Sequence, residues 1–240
     1  MTYCVGLLLE EGIVLLSDTR TNAGIDNIST YRKTFTFEDP GERVISILTA
    51  GSLSVTQTTI ARLEAAIEAP EEDTPSILSV ETMLGAVDLI GETLSSVSQR
   101  IGKKLSNSSA SASASMIVAG QRRGGAMRLF LLYPEGNFIE ATRDTPFLQI
   151  GEHKYGKPIL DRVVQPETSI SDAKKAVLLS MDSTLRSNLS VGMPLDLTVI
   201  RRDSCRTDES LRIEPGDEVF NAMSEAWSQA LRKAFTAIDV

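Results

Sequence analysis

An α+β fold, with two sheets enclosed between two helix layers in one continuous domain over residues 1–240, is what the sequence predicts. Three observations carry that prediction. Hydrophobic periods run in the order strands, two helices, strands, then helices, and such an order stacks helices outside paired sheets. No composition break divides the chain: the stretch Ser106 to Ser115 is rich in serine and alanine, but Met116-Ile117-Val118-Ala119-Gly120 continues it as a strand. The composition, 42% hydrophobic with a formal net charge of −8, is that of a globular chain with a core.

The elements follow in order. Residues 2–9 and 13–19 are rich in Val, Ile and Leu, and Glu10-Glu11-Gly12 between them reads as a hairpin turn with Gly at a positive-φ position. Folding about residue 11 pairs Cys4 with Asp18 and Thr2 with Arg20. Thr2, Cys4, Asp18 and Arg20 then share one face, with Tyr3, Val5, Leu7, Leu9, Ile13 and Leu15 on the other. A one-residue slip would reverse that assignment. A loop at 22–27 leads to an alternating strand from Tyr31 to Phe37, with Lys33 near its start. The strand 43–49 runs through Ala50-Gly51-Ser52 into a helix with Val55, Ile60, Leu63, Ala66 and Ile67 at helical spacing.

An acidic, Pro-bearing connector at 69–76 precedes a helix whose face carries Val80, Val87, Ile90, Leu94, Val97 and Ile101. Strands at about 127–133, 137–141 and 146–150 continue from Met116–Gly120 as an antiparallel run, turning at Arg123-Gly124-Gly125 and Pro134-Glu135-Gly136. A helix covers about 154–163, and a second begins with Ser171 as a plausible N-cap. Strands at 195–201 and 209–213 precede a last helix over 216–235. Its stripe includes Val219, Phe220, Met223, Trp227, Leu231 and Phe235, and the lone Trp227 reads as a core or subunit contact.

Several function classes drop out on composition. The 24 Lys and Arg residues gather into no basic stripe, so nucleic acid is not an expected partner. No apolar run approaches the roughly 18 residues of a membrane span, and no secretory signal precedes the first strand. A cytoplasmic protein is the expectation. Two cysteines, Cys4 and Cys205, make neither a disulfide framework nor a metal site. His153 is the single histidine, so a two-histidine zinc site is excluded; no Gly-x-Ser-x-Gly elbow accompanies it, and it reads as a loop or interface residue. No cofactor is called for. Nucleophilic catalysis in this chain has to find its base elsewhere.

The N-terminus offers one. Removal of Met1 before the small Thr2 leaves a residue carrying both a hydroxyl and an α-amine, whose ordinary pKa of roughly 7.7–8.0 suits a general base. A threonine paired with its own amine is an activated nucleophile. Asp18 taken alone is a turn-forming residue at a strand end. Gly51, at a strand-to-helix junction, is either a turn glycine or the donor of an exposed N–H to an oxyanion.

Together these residues resemble the proteasome β-subunit family of N-terminal nucleophile hydrolases, and its bacterial Anbu branch, along the whole chain. Asp18 stands sixteen residues after Thr2, as in catalytic β-subunits, and Asp18-Thr19-Arg20 matches their Asp-x-Arg. Lys33 falls one position short of the usual spacing, attributed to a shorter loop. The resemblance implies a four-layer αββα sandwich of two antiparallel sheets. It also implies catalytic Thr2, Asp18 and Lys33, an oxyanion donor at Gly51, and support from Arg20 and from Asp182 near the Thr2 amine. Two features depart from the family. Gly151-Glu152-His153 replaces a Gly-Ser-Gly segment and lacks its serine. The serine expected just after Asp182 is not at its usual offset, leaving Ser187 or Ser190.

The implied activity is peptide-bond hydrolysis through Thr2. The alternatives are a ring- or spiral-forming scaffold with little general protease activity, or a selective amidase or peptide transferase. Further copies of the chain and a peptide or protein substrate are the implied partners; no ATPase partner is assigned.

Overall fold

A computed structural model describes residues 2–22, 28–69, 75–107 and 111–239. Met1, most of the 22–27 loop, the centre of the acidic connector and part of the serine-rich stretch lie outside these residues. The chain opens with β1 (Tyr3–Leu8), β2 (Gly12–Asp18), the short strands β3 (Arg20–Asn22) and β4 (Ile28–Thr30), then β5 (Thr34–Asp39) and β6 (Arg43–Gly51). Helices α1 (Leu53–Glu68) and α2 (Met83–Leu105) follow. Then come β7 (Ala114–Arg122), β8 (Arg128–Leu132), β9 (Phe138–Glu140) and β10 (Phe147–Gly151). Helices α3 (Lys157–Val163) and α4 (Ile170–Ser187), strands β11 (Leu195–Arg201) and β12 (Glu209–Ile213), and α5 (Glu218–Thr236) complete it.

The strands form two five-stranded antiparallel sheets, ordered β10-β1-β2-β11-β12 and β5-β6-β7-β8-β9, and a separate β3-β4 ribbon. Alternation along each strand sends neighbouring side chains to opposite faces, and three buried clusters record the result. Cys4, Ile13, Leu15, Val44, Leu48 and Ile117 meet between the sheets. Tyr3, Val5, Val14, Leu16, Val177 and Met181 fill the layer beneath α3, α4 and α5. Ile45, Ile47, Val87, Ile90, Val118 and Phe130 fill the layer beneath α1 and α2. Helix, sheet, sheet, helix is the observed order, as expected.

Four local details differ from the sequence reading. Leu9 and Gly12 exchange hydrogen bonds of 2.8 and 3.3 Å, so the first hairpin has a two-residue turn at Glu10-Glu11 and Cys4 faces Ser17, not Asp18. That one-residue shift puts Val14 and Leu16 on the face of Tyr3 and Val5, and sends Ile13 and Leu15 with Cys4 between the sheets. Second, β10 does not continue the β7-β8-β9 run; it crosses to the other sheet and pairs with β1. Third, Ser169, not Ser171, caps α4, its Oγ accepting from the Asp172 N–H at 3.1 Å. Fourth, the helix expected over 154–163 is helical only from Lys157, after turns.

The first residue of β1 ties the sandwich to its helix layer. Tyr3 is fully buried; its hydroxyl shares a 2.6 Å hydrogen bond with Ser180 Oγ on α4 and accepts from Gln149 Nε2 on β10 at 2.6 Å. Burial pushes this phenol from 10 to about 12. The native state therefore keeps a proton that the unfolded chain loses above pH 10. Its contribution is complete below pH 10 and lost as pH rises towards 12, in total about 3 kcal/mol. Urea midpoints at pH 9 and pH 11 are expected to fall less in Tyr3→Phe than in the parent, although the variant starts lower at neutral pH by about 1–3 kcal/mol for its two lost partners.

Candidate active site

The three residues expected to act together lie at one end of the sandwich. Thr2, 7% exposed, immediately precedes β1, and its carbonyl accepts from Glu152 N–H at 2.7 Å. Gly151 makes that approach possible. It has φ 81°, and a Cβ there would stand 1.9 Å from the Thr2 carbonyl oxygen.

Asp18 ends β2 with no exposure to water, so each oxygen needs a donor. Oδ1 accepts from Lys33 Nζ at 2.7 Å and from Tyr3 N–H, the amide directly after Thr2, at 3.1 Å. Oδ2 accepts from Gly192 N–H at 3.2 Å. Burial raises the Asp18 carboxyl above its ordinary value, while the Lys33 charge and these N–H groups pull it back towards ionisation. Lys33, 4% exposed, also donates to the Arg20 carbonyl at 2.6 Å, leaving one N–H beyond those two bonds. Its own carbonyl accepts from Thr49 N–H at 2.9 Å, which brings β6 and its terminal Gly51 to the same end.

Gly51 is exposed, has φ 103°, and stands where a Cβ would lie 2.5 Å from the Ser113 carbonyl oxygen, so glycine is required there on two counts. Arg20 contributes differently from expectation. It accepts from Lys33 through its carbonyl, while its guanidinium donates to the Leu189 carbonyl at 2.8 Å and lies against Gly192. It braces the loop that delivers Gly192 to Asp18.

Asp182 has partners on the helix layer. Its Oδ1 accepts from Ser224 Oγ on α5 at 2.7 Å, and its carboxylate pairs with Arg186 at 3.1 Å. It therefore joins α4 to α5. Ser180, two residues earlier, hydrogen-bonds to Tyr3 of β1, and two residues turn a helix through about 200°. Ser187 is exposed at the end of α4, whereas Ser190 lies in the braced loop, where its N–H donates to Asn188 Oδ1 at 2.9 Å.

Gly192 and the Tyr3 N–H are the members of this site that sequence reasoning missed. Backbone donors leave no side-chain signature, although a glycine just before Met193-Pro194 was a place to look. Cys4 also lies close by, with Sγ 3.7 Å from the Thr49 carbonyl. Burial raises its thiol far above the ordinary range, so it is not a competing nucleophile.

The family model described as proteasome subunit matches residues 2–200. The chain belongs to the proteasome subunit family. Solved structures place this proteasome-family chain in the Anbu branch. A Gly-1 mutant of Anbu from Hyphomicrobium sp. strain MC1 is 45% identical with TM-score 0.93, covering 100% of this chain and 99% of that one. Anbu from Yersinia bercovieri is 41% identical with TM-score 0.92 over 99% and 98%. The helical assembly of the Anbu complex from Pseudomonas aeruginosa is 44% identical with TM-score 0.92 over 99% and 97%. Among curated proteins, proteasome subunit beta 2 of Pyrobaculum calidifontis is 27% identical over 210 residues, 85% of this chain and 91% of the relative. The fold is therefore that of the N-terminal nucleophile hydrolases. No helix among the described residues is long and apolar enough to cross a membrane.

Removing one member of a buried ion pair strands the other. Lys33→Met is expected to cost about 3–5 kcal/mol at pH 7, measured by denaturant unfolding. The stranded Asp18 carboxyl has its native pKa raised, so stability is fullest below its unfolded value near 4 and is lost as pH rises through the native value. The deficit of the variant should thus shrink between pH 7 and pH 4. The double variant Asp18→Asn, Lys33→Met should lie closer to the parent than Lys33→Met does.

Proposed function

We propose that the chain is a proteasome-type peptidase whose nucleophile is Thr2, exposed by removal of Met1. The observation that carries this reading is the bridge at Asp18, whose Oδ1 accepts both from the Lys33 ammonium and from the amide that follows Thr2. One carboxylate thereby fixes a cation beside the nucleophilic residue.

In this reading Thr2 Oγ attacks the scissile carbonyl carbon and its proton passes to the Thr2 α-amine, directly or through water. The carbonyl electrons move to oxygen, where the Gly51 N–H donates to the oxyanion. Collapse breaks the C–N bond, the leaving amine takes the proton, and an ester to Thr2 remains. Water then attacks the ester by the same route and releases the acid. Lys33 lowers the cost of the negative charge that builds at Thr2 Oγ, and Asp18 holds Lys33 while balancing its charge.

A specific observation favours a second reading, a self-assembling scaffold of the same fold with little general protease activity. The carboxylate expected beside the Thr2 amine, Asp182, is engaged by Ser224 and Arg186, and Glu152 stands where the family's serine would be. Weak support of the amine would leave a selective amidase or peptide transferase within reach. In either reading further copies of the chain are partners, by analogy with the helical assembly solved for the Pseudomonas aeruginosa relative.

A threonine-directed electrophile followed by mass mapping tests the proposal. The adduct is expected on Thr2 of a chain lacking Met1, with none on Thr2→Ala. Any peptide or amide hydrolysis should fall by at least about 10⁴-fold in that variant, with folding unchanged. Parent-like turnover in Thr2→Ala, an adduct elsewhere, or Met1 retained in the folded protein would each sink it.

A further inference from the structure

Strand β5 is a free edge of its sheet, and β12 is a free edge of the other. The Lys33 carbonyl accepts from Thr49 N–H of β6. Alternate residues of an antiparallel ladder bond to the same neighbour. Lys33, Phe35 and Phe37 therefore turn their backbone groups to β6, while Thr34, Thr36 and Glu38 turn theirs outward. Those outward groups form no backbone hydrogen bond among the described residues. An edge of this kind is a template for another extended chain.

Behind the edge the two sheets stand apart. A cleft of about 560 Å³ opens there, bounded by Thr34, Thr36 and Glu38 of β5, by Thr198 of β11 and by Ser210 of β12. The Thr34 and Thr36 hydroxyls share hydrogen bonds of 2.8 Å with Ser17 and Ser46. Thr198 is different: it is 4% exposed, lines the cleft, and its hydroxyl has no hydrogen-bond partner among the described residues. A buried hydroxyl left in that state is costly unless something in the cleft bonds to it.

The charges around the cleft give it a direction. Asp196 and Arg212 neutralise each other through bonds of 2.9 and 3.3 Å. Arg32 and Glu38 also line the cleft and have no ion pair among the described residues. Glu38 Oε1 accepts from Thr207 N–H at 2.7 Å, which leaves Oε2 for a further donor. The cation and the anion stand at opposite ends of one edge, six residues or about 20 Å apart.

We propose that the β5 edge binds an extended, free-ended oligopeptide of about six residues, antiparallel to β5, with its carboxylate at Arg32 and its ammonium at Glu38. A chain that ends beside the start of β5 necessarily runs against it. Its main chain meets the outward groups of Thr34, Thr36 and Glu38, and every second side chain enters the cleft towards Thr198. Neither Thr2 nor Gly51 lines this cleft, so the site is separate from the candidate active site. Free-ended peptides are what the reaction proposed above releases, but binding here does not require that reaction.

Calorimetric titration with hexathreonine tests it, on the parent and on Thr2→Ala, which should bind equally. Amidating the C-terminus and acetylating the N-terminus should together weaken binding about tenfold. Amidation should then have no effect in Arg32→Ala, nor acetylation in Glu38→Gln. Thr36→Pro removes an outward N–H without touching the β6 ladder and should abolish binding, with its fold checked by circular dichroism. If that variant does not fold, the end-capping comparisons decide alone. Hydrogen exchange over residues 34–38 should slow when the peptide is added. Absence of binding to the parent, or end effects paired the opposite way, overturns the proposal. Binding lost in Thr2→Ala puts the peptide at the active site and overturns it too. Slow exchange over 34–38 before any peptide is added does the same, because another copy of the chain then already occupies the edge.

Discussion

A carboxylate sealed from water at Asp18 sets terms for four stretches of chain at once. An ionised oxygen in that position is tolerable only with donors around it. The fold supplies an ammonium from just before β5, an amide from the start of β1 and another from the loop before β11. Arg20 closes the network through its carbonyl, and its guanidinium holds the 189–192 loop in place. The N-terminus, the thirties and the 190s are thus fixed relative to one another by one electrostatic requirement.

That requirement also shapes the surroundings of Thr2. The peptide group that follows Thr2 is held at both ends: its N–H, on Tyr3, donates to Asp18 Oδ1, and its carbonyl, on Thr2, accepts from Glu152 N–H. Tyr3 then pins the strand to α4 and β10 through its hydroxyl. A nucleophile on a frayed terminus would lose most of the benefit of a nearby cation, because orientation is a large part of what a site supplies. The rigid setting is the property shared by the peptidase and scaffold readings; they differ in what supports the amine.

The helix layers show where polar groups go when they are not part of that network. Asp182 and Ser224 join α4 to α5, and beyond this joint α5 leaves the body of the chain with its apolar side uncovered.

The amino-acid pattern by itself determined most of the strands and helices and their order as helices outside paired sheets, because periods of two and 3.6 are local properties. Lys33 joined Thr2 and Asp18 only through the resemblance to the proteasome family, which the spacing of these residues in the sequence carries. Only the tertiary structure decided the pairing of the first hairpin, where a two-residue turn moved Cys4 opposite Ser17 and exchanged the faces of Ile13 and Val14. Strand alternation fixes which residues share a side but not which side faces the partner. The crossing of β10 to the other sheet, the turn of Asp182 towards α5 and the use of Gly192 N–H were equally hidden. Each depends on which groups remain unsatisfied once distant segments have packed, and that balance exists only in three dimensions.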